Sequence, residues 1–282
     1  MIAEEIKSKA RELNMNPDII EKDYVISWLL YGIWRAGLWK VLAFKGGTCI
    51  KKAYIKDYRF SEDLDFNLLD AMSIEKLEES IIKAVEYAST NSEIEFFPEE
   101  IKIKERIARR ERIKGKLIGY EVSIPYLLLR KGRKVSKPRI RADITLKAFE
   151  PVLDELKVKG IFHEYSDALK LAQVQISAYS LEEIFAEKVR TLFERVRPRD
   201  LYDVWRLWYS KNLDKDKVTE LVPLKFDVKG VKPDLMTFEN KKEFYRRSWE
   251  SIVGVTLWKR VDFESVWDEV IGIVREILNN NP

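Results

Sequence analysis

Two aspartates, Asp63 and Asp65, stand two residues apart in the run Asp63-Leu64-Asp65-Phe66-Asn67-Leu68-Leu69, whose polar and apolar alternation reads as a half-buried strand. Residues two apart on a strand share a face, so the two carboxylates are expected side by side. Like charges that close either raise one carboxyl's pKa or hold a cation, and hard oxygen donors select Mg2+ or Mn2+. Solvated sheet edges and turns carry such pairs too. What gives this pair weight is Gly46-Gly47-Thr48, a glycine turn placed ahead of it at the opening of a helical pattern. Glycines there let backbone N–H groups approach a phosphate, and the helix N-terminus adds positive potential. A ligand-free strand-to-helix turn uses the same glycines for φ > 0. In combination the two signals supply both halves of a nucleotidyl-transfer site, a grip on triphosphate and a grip on metal.

A second metal needs a further carboxylate. Asp143 is the candidate, as the one acid inside the apolar alternation of Arg139-Ile140-Arg141-Ala142-Asp143-Ile144. In two-metal phosphoryl chemistry one ion activates the attacking hydroxyl while the other neutralises the departing pyrophosphate, and Asp143 is assigned to the nucleophile's side. The competing reading is an ion pair with Arg139 or Arg141. Further along, Lys188 lies on a helical segment from which it could reach a phosphate, and Asp200 and Asp203 share a face of the next helix. By spacing alone these three read as a salt-bridged helical hairpin.

Positive charge is uneven along the chain. Residues 101–116 hold eight Lys/Arg against Glu105 and Glu111, and residues 130–141 hold seven with no acid, so two local basic ribbons exist although the net charge is only +4. They suit either an RNA-contacting surface or lysine-protected hairpin edges.

The elements that must position these residues follow from periodicity. Ile19, Val25, Ile26, Leu29, Leu30 and Ile33 recur at helical spacing within a helical first forty residues. Val41-Leu42-Ala43-Phe44 is a short strand, residues 48–54 a helix, and Ser73 caps a helix to about residue 89. Two-residue periodicity over 93–146 predicts an antiparallel meander. After Pro151 the pattern turns helical, with apolar stripes at 181–196, 201–209, 241–252 and 263–278. The expected architecture is α+β, a mixed sheet flanked by helices over residues 1–165 and a helical domain over 166–282.

Composition limits the alternatives. Hydrophobic residues at 46% and charged residues at 35% fit a folded globular chain. Cys49 alone makes no internal disulfide, and His163 alone makes no Cys/His zinc site, so carboxylates must carry any metal chemistry. No apolar run reaches the ~20 residues of a membrane helix. The first residues lack the apolar stretch of a signal peptide, which gives the expectation of a cytoplasmic protein with no membrane partner.

Phe44-Lys45-Gly46-Gly47-Thr48, then Tyr58-Arg59-Phe60-Ser61-Glu62-Asp63-Leu64-Asp65, then Glu183-Ile184-Phe185-Ala186-Glu187-Lys188 and Arg199-Asp200-Leu201-Tyr202-Asp203 together resemble the AbiEii/AbiGii toxin family of nucleotidyltransferases. The resemblance implies a polymerase-β-like nucleotidyltransferase core with a helical C-terminal domain, in a toxin–antitoxin or abortive-infection system. It implies a nucleoside triphosphate substrate, a divalent metal, an RNA acceptor such as the tRNA 3′ end, and a cognate antitoxin. Position by position, Lys45, Gly46, Gly47 and Thr48 match the phosphate-binding turn, and Ser61, Asp63 and Asp65 the metal motif. Lys188 matches the nucleotide-contacting lysine and Asp200 the active-site acid of the last motif. Asp143 rests on strand logic. Two other readings share the residues: transfer to a protein side chain, and an RNA- or protein-binding module on a degenerate nucleotidyltransferase fold.

Overall fold

The computed structural model describes residues 1–109, 113–128, 136–257 and 259–279. The chain packs as two compact units, Met1–Pro151 with Leu156–Ala178, and Val152–Glu155 with Tyr179–Pro282. The first unit opens with helices α1 (Ile2–Glu12) and α2 (Pro17–Arg35). Helix α2 starts where the Asn16 side chain accepts the Asp18 N–H at 2.9 Å and Pro17 takes the first turn. Its Ile, Leu, Val, Tyr and Trp residues are buried along most of its length, as expected of a helix apolar on nearly every side.

There follow β1 (Leu42–Lys45), α3 (Gly46–Cys49) with its continuation Ile50–Tyr54, β2 (Asp63–Leu68), and α4 (Ile74–Asn91), which Ser73 caps. Strands β3 (Glu95–Phe96), β4 (Lys102–Ile107), β5 (Leu117–Leu127), β6 (Arg139–Leu146), β7 (Lys157–Lys159) and β8 (Ile176–Ala178) complete the unit. The sheet order is β3-β5-β6-β2-β1-β8-β7, with β4 also paired to β5. Strand β6 runs antiparallel to β5 but parallel to β2, so the expected meander gives way to a mixed sheet at its last strand. The second departure from the sequence reading is β7 and β8, in a region expected to be helical. Strand β8 is only three residues long, too short to show a period, and it returns to lie parallel to β1. The first unit therefore continues past the 165/166 division drawn from the sequence.

Period two assigns the sheet's faces. Leu64, Phe66, Val122, Ile124, Ala142 and Ile144 gather with Leu29 and Ile33 of α2 and Ile81 and Val85 of α4 around a small apolar cavity. The opposite face is polar. Register runs Lys104, Glu121, Asp143, Asp65 and Lys45 across it as one row, with Lys102, Ser123, Arg141 and Asp63 as the next. A one-residue slip would exchange the two faces, so the apolar core fixes where every acid of this face stands.

The second unit comprises α5 (Leu181–Glu194), α6 (Pro198–Trp208), α7 (Lys215–Lys229), α8 (Leu235–Glu239), α9 (Lys242–Ile252) and α10 (Phe263–Asn279). Helices α7 and α8 were not read from the sequence. In α7 the buried stripe Val218, Leu221, Val222 and Phe226 includes Lys225, and Pro223 lies inside the helix, so its amphipathic signal is weak. Lys225 is fully buried, with Nζ 2.7 Å from Glu183 and 3.4 Å from Glu187. Glu183 also accepts the N–H groups of Leu153 at 2.9 Å and Asp154 at 3.1 Å, which stitches the strap Val152–Glu155 to α5. Burial pushes its carboxyl above the usual range despite the lysine. Among the described residues no helix is long and apolar enough to cross a membrane.

Lys225→Met is expected to cost about 3–5 kcal/mol, because it strands the Glu183 charge without a partner. The double variant Lys225→Met/Glu183→Gln should cost less than the single change. Chemical denaturation checks this, and a double variant less stable than the single one contradicts it.

Candidate active site

Strand β1 ends extended at Lys45, and Gly46 then takes φ +77°, a left-handed conformation that side chains disfavour. A Cβ at Gly46 would run into the Asp65 carboxylate, so the turn and the acid are in contact. A Cβ at Gly47 would stand 2.7 Å from Arg59 Nη2 and 3.3 Å from Ser61 Oγ. The Thr48 hydroxyl donates to the backbone carbonyl of Asp63. The glycine turn is thereby fastened to β2 at both acids, and Asp63, Asp65, Gly46, Gly47, Thr48 and Ser61 form one constellation. Behind it Cys49 is buried, and desolvation followed by the Asp65 charge pushes its thiol well up, which keeps it protonated and inert.

The loop that delivers Ser61 is held by two cations. Lys51 Nζ donates to the carbonyls of Lys56 at 3.3 Å and Tyr58 at 3.5 Å and lies 4.2 Å from the Phe60 ring centroid. Arg59 is buried and donates to the Phe60 carbonyl at 3.3 Å. Sequence reading missed Arg59 as a site residue. Its signal was an arginine between Tyr58 and Phe60, an apolar setting that foretells burial and hence a fixed charge. Lys45 is also buried, 3.6 Å from Glu150, on the row that carries Asp65.

Parallel pairing sets Asp65 directly opposite Asp143 and Asp63 opposite Arg141, so all three acids share the polar face. The Asp143 partner is neither Arg139 nor Arg141. Arg139 is engaged by Ser123 and the Glu100 carbonyl, whereas Asp143 Oδ1 lies 3.4 Å from Arg106 Nη1 on β4. Among the described residues, no three His, Cys, Asp or Glu side chains are gathered closely enough to hold a metal ion. The adjacent carboxylates Asp63 and Asp65, partly open to solvent, have the oxygen chemistry of a site for a hard divalent cation that keeps several waters. Asp143 has the same chemistry and the same face but is turned toward an arginine.

Lys188, Asp200 and Asp203 belong to the second unit. Lys188 Nζ on α5 is 2.7 Å from Asp200 and 2.8 Å from Asp203 on α6. Arg195 adds two contacts of 3.1 Å to Asp200. Burial opposes ionisation of Asp200, but Lys188 and Arg195 outweigh it and hold the carboxyl well below the usual range. This is the ion-paired helical hairpin that the spacing described. Of the basic ribbons, residues 110–112 and 130–135 lie outside the described residues. Lys102, Lys104 and Arg141 are exposed on the polar face.

The model of a protein family described as nucleotidyl transferase AbiEii toxin, type IV toxin–antitoxin system, matches residues 28–260. No curated protein sequence matches the chain. Among solved structures, a candidate nucleotidyltransferase from H. pylori superposes with a TM-score of 0.55 at 15% identity, covering 93% of this chain and 96% of its own. The nucleotidyltransferase toxin MenT4 from Mycobacterium tuberculosis H37Rv superposes with a TM-score of 0.53 at 17% identity, covering 98% and 97%. At these identities the likeness is one of fold.

Gly46→Ala is expected to destabilise the protein by about 1–3 kcal/mol, through backbone strain and collision with Asp65. Gly46→Asn tolerates the backbone angle but keeps the collision, so it should rescue only part of the loss. Thermal unfolding of the pair separates the two effects, and full recovery in Gly46→Asn contradicts contact between the turn and Asp65.

Proposed function

The chain belongs to the AbiEii family of nucleotidyl transferase toxins of type IV toxin–antitoxin systems, and from that premise we propose that it transfers a nucleoside monophosphate from a nucleoside triphosphate to an RNA 3′ end. The observation that carries this reading is the contact between the Gly46 turn and Asp65, with Asp63 and Asp143 on the same face of the sheet. The N–H groups at Gly46, Gly47 and Thr48 hold the triphosphate, and the buried Arg59 charge beside Gly47 adds favourable potential. Ser61 supplies a further donor at the turn. Asp63 and Asp65 are the ligands of Mg2+ or Mn2+, which when bound lowers the pKa of the acceptor hydroxyl and offsets charge on the departing pyrophosphate.

Asp143 assists the acceptor. Its carboxylate is about half exposed, open to an incoming hydroxyl. The hydroxyl oxygen bonds to the α-phosphorus, its proton passes to a carboxylate, and the bond to the pyrophosphate oxygen breaks. The exposed cations Lys102, Lys104 and Arg141 support a polyanionic acceptor on this face. Lys45, Lys188 and Asp200 enter the proposal through the family's motifs, Lys45 at the phosphate turn and Lys188 as a phosphate contact that Asp200 steadies. A cognate antitoxin and a cytoplasmic setting follow from the same family reading.

Incubating the pure protein with labelled nucleoside triphosphates, Mg2+ and total tRNA should place label in RNA, and Asp63→Ala should lower the rate by at least on the order of 100-fold without unfolding the protein. Label in protein and not in RNA identifies a protein acceptor. Label in neither, together with salt-dependent RNA binding, leaves the binding-module reading and removes the transferase. Full activity in Asp63→Ala removes the metal role.

A further inference from the structure

The Arg106–Asp143 pair is built into the sheet. Arg106 lies on β4 and Asp143 on β6, with β5 between them, so the arginine crosses roughly two strand spacings of about 4.8 Å each. The residue opposite Arg106 on β5 is Gly119, itself opposite Thr145 on β6. Any side chain at Gly119 would run into the Ile144 backbone, so this residue lets β5 and β6 approach closely under the pair. The β4–β5 register breaks just after Arg106, where β5 carries Ile118 as an extra residue between the partners of Arg106 and Ile107. Lys102 and Lys104 alternate regularly on the same strand and face, whereas it is Arg106 whose guanidinium meets the third carboxylate.

We propose that Arg106 is a positioning residue that stands in for the divalent cation at Asp143, competing with that cation for the carboxylate. This rests on the metal role assigned above to Asp63 and Asp65. Asp143 and Asp65 are neighbours across the strand pair, and adjacent carboxylates repel unless a cation lies near. The guanidinium supplies one positive charge to Asp143 through a single contact of 3.4 Å, between side chains that are 36% and 48% exposed. An ion pair so open is weak, which makes it exchangeable. A divalent ion offers more charge to the same oxygens, draws Asp143 to itself and frees the guanidinium on the polar face. Arg106 thereby sets the concentration of cation at which the third carboxylate joins the other two.

The test is Mn2+ titration followed by electron paramagnetic resonance, without nucleotide, on the full chain and on Arg106→Gln, Arg106→Lys, Asp143→Asn and the Arg106→Gln/Asp143→Asn double variant. Arg106→Gln is expected to bind Mn2+ about three- to tenfold more tightly at low ionic strength, with the gain shrinking as salt rises. Arg106→Lys should remain near the parent, and Arg106→Gln should give little gain in the Asp143→Asn background. Unchanged or weaker Mn2+ affinity in Arg106→Gln, or an equal gain without Asp143, overturns the proposal while leaving the metal site intact. If neither the parent nor Arg106→Gln binds Mn2+, the metal role of Asp63 and Asp65 fails first and the competition with it.

Discussion

Repulsion between neighbouring carboxylates, imposed by an apolar core that cannot move, is the constraint on which the first unit is organised. Leu64, Phe66, Ala142 and Ile144 lock β2 and β6 together from behind, so Asp65 and Asp143 stand opposite one another in front. Slipping either strand by one residue would relieve the repulsion only by turning aspartates into the core, at a far larger cost. The local features follow from managing that charge: a glycine turn pressed on Asp65, a threonine fastening the turn to Asp63, and an arginine reaching across β5 to Asp143. Carboxylates held together by the fold and not by their own preference are poised for a cation.

The ion pairs of the second unit differ from the acids of that polar face. Lys225 with Glu183, and Lys188 with Asp200 and Asp203, are pairs in which both partners are largely or wholly buried. Such pairs are retained at a desolvation cost, and removing either partner leaves the other unmatched. They fix α5 against α6 and α7 and bind the strap Val152–Glu155, whereas Asp63, Asp65 and Asp143 are partly open to solvent.

Much of this was legible in the sequence because it is local. The helix capped by Ser73, the alternation of β2 and the glycine turn each depend on a few adjacent residues, and the periodicities found them. The α+β class followed from the order of those segments, and the four-motif resemblance pointed to the nucleotidyltransferase family to which the chain belongs. What was not legible is long-range. Strand β8 has three residues and is a strand because β1 offers it an edge. Helix α7 hides its apolar stripe behind Lys225, whose burial makes sense only once Glu183 is beside it. Arg106 is one of eight basic residues between 101 and 116, and only its reach across β5 to Asp143 in the folded sheet singles it out. Arg59 lies within the motif Tyr58–Asp65, but its place beside Gly47 is a property of the folded loop.

The most direct measurement is a crystal structure with Mn2+ and a non-hydrolysable nucleoside triphosphate analogue, with the ions located by anomalous scattering. The account predicts a manganese peak between the Asp63 and Asp65 carboxylates and triphosphate oxygens against the N–H groups of Gly46 and Gly47. Manganese elsewhere, or a nucleotide seated away from that turn, would contradict it.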